Sequence, residues 1–162
     1  MLMSDTNRVF LVDILGCESI PHGDRNLWEH LKGTEALLWK WRQPDAIQDA
    51  GLFHSIYGTS QFKHCSFPIE GRHIIRRLIG AEAEELVFEF CTMNRSKWPW
   101  GAYLPSERRA VLYTIEAANL IDQGDLPENV AVLMATGLLS QRVFDACAAY
   151  VVARTEMHRD AS

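Results

Sequence analysis

Cysteine is sparse and scattered in this sequence of 162 residues. Cys17, Cys65, Cys91 and Cys147 stand singly and no CxxC pair occurs. Neither a zinc knuckle nor a disulfide framework is suggested, and free thiols point to a reducing cytoplasm. Basic residues are also in the minority. Sixteen Lys and Arg face 21 Asp and Glu, a formal net charge of −5. A nucleic-acid backbone is therefore not expected as a partner. An anionic substrate would need a local basic pocket. No apolar run reaches the ~20 residues of a membrane span. The start MLMSDTNRVFLVDIL has neither the basic opening nor the cleavage site of a signal peptide. Clean two-residue alternation, internal repeats and low-complexity tracts are missing too.

What is there reads as one domain. At 48% apolar and 23% charged residues, the chain has an ordinary globular mix. A chain of this length buries roughly 70% of its unfolded surface and folds without a metal or a disulfide. Residues 6–15 read as a short helix stopped by Gly16. A loop containing IPHGD leads to a second helix, capped at Gly23 or Asp24 and running to about Arg42. Its buried stripe is Leu27, Leu31, Thr34, Leu38 and Trp41, and His30 falls at the edge of that face. Pro44 opens a third helix, which ends in the polar stretch before Gly58. Pro68 opens a fourth and Gly80 ends it. AEAEELVFEFCTM and SERRAVLYTIEAANLIDQGD are two further helices. Between them lies an aromatic loop, NRSKWPWGAYLP, and the C-terminal segment makes one or two helices with a bend at Gly137. Trp39, Trp41, Trp98 and Trp100 read as core and lid packing. The expected fold is all-α, a bundle of about seven helices over residues 1–162 with a frayed tail from about residue 156.

The stretch AGLFHSIYGT, Ala50 to Thr59, organises the site. An apolar helix runs into His54, Ser55, Tyr57 and Thr59 and breaks at Gly58, which delivers side chains to a pocket from a rigid element. His22 and His30 lie upstream. Histidines on two adjacent packed helices meet across a groove as acid/base groups or metal ligands. Asp24, Glu29, Asp49 and Asp122 are the available carboxylates for a hard cation. Arg25 is placed to hold an anionic or carboxylate group. Each residue also has a structural reading. His54 is a buried histidine at a helix end, Tyr57 and Thr59 cap that end, and Arg25 pairs with Glu29 on the surface.

HGDRNLWEHLKGT, AGLFHSIYGT and IGAEAEELV together resemble a small, divergent family of single-domain proteins within the His-Asp (HD) metal-dependent phosphohydrolase superfamily. The resemblance covers roughly residues 20–92. It implies an all-α fold and a site built from a helix histidine, a His-Asp doublet at a helix end and a distant aspartate. His30 and His54 match the two histidines. Ser55 stands where the doublet has its aspartate. In EAANLIDQ, Asn119 takes the likeliest position of the distant aspartate, and Asp122 lies one turn on. A hydroxyl and an amide are poor replacements for two carboxylates around a divalent cation. The superfamily's phosphohydrolase activity therefore does not carry over, nor does the chemistry of its di-iron oxygenases.

Three functions remain. The first is a cytoplasmic enzyme acting on a small polar metabolite by hydrolysis, dehydration or cyclodehydration. His54 is then the leading acid or base, His30 its partner and His22 a third catalytic group, with Arg25, Ser55, Tyr57 and Thr59 binding substrate and no cofactor. The second is a metal-dependent hydrolase in which His22, His30 and His54 hold one divalent cation. The third is a non-catalytic module that binds a small ligand. No membrane partner is expected, and a homo-oligomer is compatible with all three.

Overall fold

Helix α2 (Leu27–Lys40) carries the stripe expected of it. Leu27, Leu31, Thr34, Leu38 and the following Trp41 are all buried. The helix starts at neither Gly23 nor Asp24. Asn26 is the N-cap, its side chain accepting from the Glu29 main-chain N–H while the Glu29 carboxylate accepts from that of Asn26. This reciprocal box satisfies two orphan donors and occupies Glu29, so the surface pair Arg25–Glu29 does not form. The helix ends through Arg42, a non-glycine residue at φ 57°.

The computed structural model describes residues 5–95 and 98–160. Among these, α1 (Asp5–Val9) continues into a π-helical turn, Phe10–Ile14. Pro21–His22 (β1) and Arg25–Asn26 (β2) pair antiparallel, with His22 opposite Arg25. No strand is expected from the sequence, because two paired residues are too short to show alternation. Gly23, at φ 61°, lets the hairpin turn. Then come α2, α3 (Asp45–Phe53), α4 (Arg72–Ile79), α5 (Ala81–Thr92), α6 (Ser106–Gln123), α7 (Pro127–Met134) and α8 (Gln141–Asp160). The all-α reading holds, and the C-terminal segment is two helices separated at Gly137. The backbone is helical to Asp160, past the residue 156 at which the tail is expected to begin. No helix among the described residues is long and apolar enough to cross a membrane.

Helix α6 runs through the centre of the bundle. Every residue from Leu112 to Asn119 is buried, the mark of a helix covered on all sides. It packs on α2, α3, α7 and α8, and α2 also packs on α3. Trp41 is core, but Trp39 is 51% exposed and Trp98 is 46% exposed. Trp39 therefore does not pack as expected. Trp98 stacks on Tyr113 with ring centroids 5.7 Å apart, covering α6 from outside.

The capping box gives a direct test of how α2 is held. Asn26→Ala should cost about 1 kcal/mol and lower the melting temperature by about 2–4 °C. A melting temperature unchanged within error would show that the cap is dispensable.

Candidate functional site

The end of α3 and the hairpin ahead of α2 deliver the site's side chains. Regular α3 stops at Phe53, and His54 is its C-cap residue. The His54 carbonyl accepts from the Cys91 thiol on α5 at 3.2 Å. The chain then turns tightly through Gly58, at φ 75°, and the returning loop donates from the Ser66 and Phe67 amides to the Ile56 carbonyl. His54 is thus fixed from both sides.

The three histidines expected of the site do meet. His30 is fully buried and His54 is 2% exposed. Their Nε2 atoms lie 3.2 Å apart. His54 Nδ1 is 2.6 Å from the Gly51 carbonyl, so this nitrogen carries a proton and donates it. His30 Nδ1 is 2.6 Å from Asp122 Oδ2, and its proton likewise points at the carboxylate. These tautomers follow from the hydrogen-bond network. They leave two Nε2 lone pairs facing each other, an arrangement that becomes attractive when one proton lies between them. The His22 ring stacks on His30 at 4.4 Å between centroids, and Phe62 meets His22 edge-on at 4.7 Å.

Asp122 holds the second layer together. Besides His30 it pairs with Arg25 Nη2, which also donates to the Asp122 carbonyl at 2.7 Å. Arg25 is therefore committed to orienting Asp122, and its charge is already matched. Its side chain still lines the cleft and is 32% exposed, so the expected role as a holder of an anionic group stays a proposal. Position 122, one turn beyond Asn119, is the aspartate that reaches the histidines. Helical spacing puts the two residues near one face but does not say which is deeper.

These side chains border a half-open cleft of about 720 Å³, lined among others by His22, Arg25, His54, Ser55, Phe62 and Arg95. His30 lies beneath this surface, behind His22 and His54. Ser55 Oγ is buried and has no hydrogen-bond partner. Thr59 lines the cleft, but its hydroxyl accepts from the Gln61 and Phe62 amides and shapes the loop. Tyr57 does not bind in the cleft. It points to α5, where its hydroxyl donates to Glu84 at 3.2 Å beside Arg72 and Arg76. The turn after His54 aims the two side chains apart, which their short sequence separation conceals. Arg95, Phe90, Glu116, Phe62 and Gln123 are site residues that the sequence reading missed.

Electrostatics oppose a proton on His54 and on His22. Burial, then the His30 charge, push His54 well below the usual histidine value. Burial, with His30 and Arg25 adding, pushes His22 down to about 4. Burial raises Glu116 above the ordinary carboxylate value.

The donor set does not match the superfamily's metal site. Among the described residues no group of three or more His, Cys, Asp or Glu is arranged to hold a metal. His22 lies flat against His30, so the two rings do not aim nitrogens at one point. Asp122 faces Nδ1 of His30 and Arg25. What remains is two imidazole nitrogens with a serine hydroxyl, short of the three protein ligands usual at a catalytic zinc.

The profile of a family described as a Domain of unknown function (DUF6817) matches residues 11–95, just over half of the chain. No curated protein matches, and no solved structure does.

The neutral imidazoles set a pH dependence. In the unfolded chain a histidine protonates near 6.5, whereas folded His22 resists until about 4. Well above pH 6.5 both states are neutral and the groups contribute nothing. As pH falls from 6.5 towards 4, the unfolded state gains protons that the folded state refuses, and stability is lost. The fall in melting temperature between pH 7 and pH 5 should be smaller in His54→Gln and in His22→Gln than in the wild type. Equal falls in all three proteins would contradict the buried neutral assignment.

Proposed function

The chain belongs to the DUF6817 family, and from the geometry of its cleft we propose a small-molecule enzyme working by histidine acid/base chemistry. The reaction is a hydrolysis, a dehydration or a cyclodehydration of a small polar metabolite. The single observation that carries this reading is the Nε2–Nε2 contact of 3.2 Å between His30 and His54, anchored by Asp122 on one side and the Gly51 carbonyl on the other. Two imidazoles so placed can take up one proton from substrate and share it between their Nε2 atoms, in a site largely closed to water.

His54 borders the cleft and is the group that exchanges the proton with substrate. In the donating direction the shared proton moves from His54 Nε2 to a leaving oxygen of the substrate. In the accepting direction His54 Nε2 takes a substrate proton, and His30 accommodates the positive charge against Asp122. The buried carboxylate stabilises the imidazolium without itself being protonated, a role familiar from Asp-His pairs elsewhere. His22, neutral at physiological pH and within 3.3 Å of Gln123, orients substrate and screens His30 from solvent. The resemblance to the His-Asp superfamily, carried by His30 and His54, supports a pocket for a small polar substrate, with Ser55 and Asn119 where that superfamily has carboxylates. A metal-dependent hydrolase remains the alternative reading, and a non-catalytic module that binds a small ligand is the third.

Asp122→Asn separates catalysis from mere packing. The amide keeps the shape but loses the negative charge that stabilises a protonated His30, and its NH2, if turned to Nδ1, imposes the other tautomer. With a substrate found by screening small polar metabolites, turnover should fall about 10²- to 10⁴-fold while KM changes little. His54→Gln should lose at least about tenfold, and some stability too, because its imidazole is bonded into the α3 end. Full turnover in folded Asp122→Asn would remove the proton-sharing pair from the mechanism.

A further inference from the structure

Arg95 is a buried cation at the cleft whose charge-bearing edge is incompletely used. Its side chain is 2% exposed and lines the cleft. The guanidinium lies 4.0 Å over the Phe90 ring, and Nη2 donates to the Phe90 carbonyl at 3.2 Å. Its Nε is buried and has no hydrogen-bond partner. Glu116 Oε1 stands 3.4 Å from that Nε, yet it too is without a hydrogen bond. The pair is a charge contact with poor geometry for a bond. Leaving a buried guanidinium N–H unsatisfied costs more than an exposed one would. Ser55 Oγ repeats the pattern on the same wall, buried and unpartnered.

Two buried, unpartnered polar groups on one cleft wall mark a place for a ligand. Resting on the acid/base reading above, we infer that the substrate is a small organic carboxylate whose acid group docks on Arg95, with Ser55 Oγ as a second polar contact. A planar monoanion suits a planar guanidinium edge. A phosphate dianion suits this wall less well. Arg25 is spent on Asp122, Glu116 already offsets much of the Arg95 charge, and Asp24 lines the rim. The anchor is close to the chemistry. Phe90 meets His54 edge-on at 5.3 Å and carries Arg95 on its face, so one aromatic ring separates the acid group from the proton-sharing pair. The reacting part of the substrate thus lies within a few bonds of its carboxylate.

The probes are benzoate, neutral benzamide and inorganic phosphate, titrated into the whole protein while the Arg95 Nε–H resonance is followed by NMR. Benzoate should shift that resonance, and benzamide and phosphate should bind at least about tenfold more weakly. The double variant Arg95→Gln/Glu116→Gln removes both buried charges together, which avoids stranding one, and should lose at least about tenfold in benzoate affinity. Benzoate titration reads the anchor with no turnover involved, whereas the acid/base reading stands or falls on turnover in Asp122→Asn, so failure of the one and failure of the other give different results. An Arg95 Nε–H signal unmoved by saturating benzoate, phosphate binding tighter than benzoate, or unchanged affinity in the folded double variant would each overturn the inference. Should the double variant not fold, the wild-type resonance decides.

Discussion

A contact of 3.2 Å between two imidazole nitrogens is the constraint on which the rest of this site depends. Two neutral rings presenting lone pairs to each other repel, and two charged rings repel far more in a buried setting. Only the singly protonated pair is attractive. The surroundings leave the pair free to take up that one proton. Gly51 fixes the proton on His54 Nδ1, Asp122 fixes the proton on His30 Nδ1, and both Nε2 atoms are left to share one. The lowered affinity of His54 for a proton of its own belongs to the same arrangement.

That geometry sets demands on the helices. Gly51 and Gly33 stand where a Cβ would collide with the Leu38 side chain and with the Asp122 carboxylate, respectively. Both glycines are helical and have ordinary φ, so their role is close approach. At Gly51, α3 comes near enough to α2 for His54 to reach His30. At Gly33, α6 comes near enough for Asp122 to reach the other side of the same ring. Glycine inside a helix costs roughly 1 kcal/mol relative to alanine, a local loss that the two contacts offset.

Much of this was legible in the sequence. The stripe of α2 is read from spacing alone, because Leu27, Leu31, Thr34, Leu38 and Trp41, three and four apart, share one face whatever covers them. The meeting of His30 with His54 followed from placing each at the edge of an apolar face. Side chains whose direction depends on a turn were not legible. Tyr57 and His54 are close in sequence yet serve different clusters, since the backbone leaves the helix between them. Arg25 looked free because its partner Asp122 is remote in the chain, and only the hairpin that sets Arg25 opposite His22 brings it there. A two-residue ladder leaves no periodic trace. Arg95 was hidden for a related reason: its loop position says nothing about burial, and burial makes its unpaired Nε matter.

The separation of charges across the cleft ties these observations together. On the α2 and α6 side, Arg25 and Asp122 neutralise each other and enclose the histidine pair. On the α5 side, Arg95 faces Glu116 with imperfect geometry, and Phe90 lies between the two systems. A molecule entering the cleft meets neutral His22 at the hairpin, buried Ser55 at the floor and one incompletely used guanidinium on the wall. A ligand that satisfies Arg95 lowers the polarity left around His54 by excluding water from it. Excluding water strengthens the hold of Asp122 on a charged His30, so occupancy of the anchor and the capacity of the pair to accept a proton rise together. On the proposed acid/base reading, binding at one end of the cleft then prepares the chemistry at the other, with Phe90 as the shared wall.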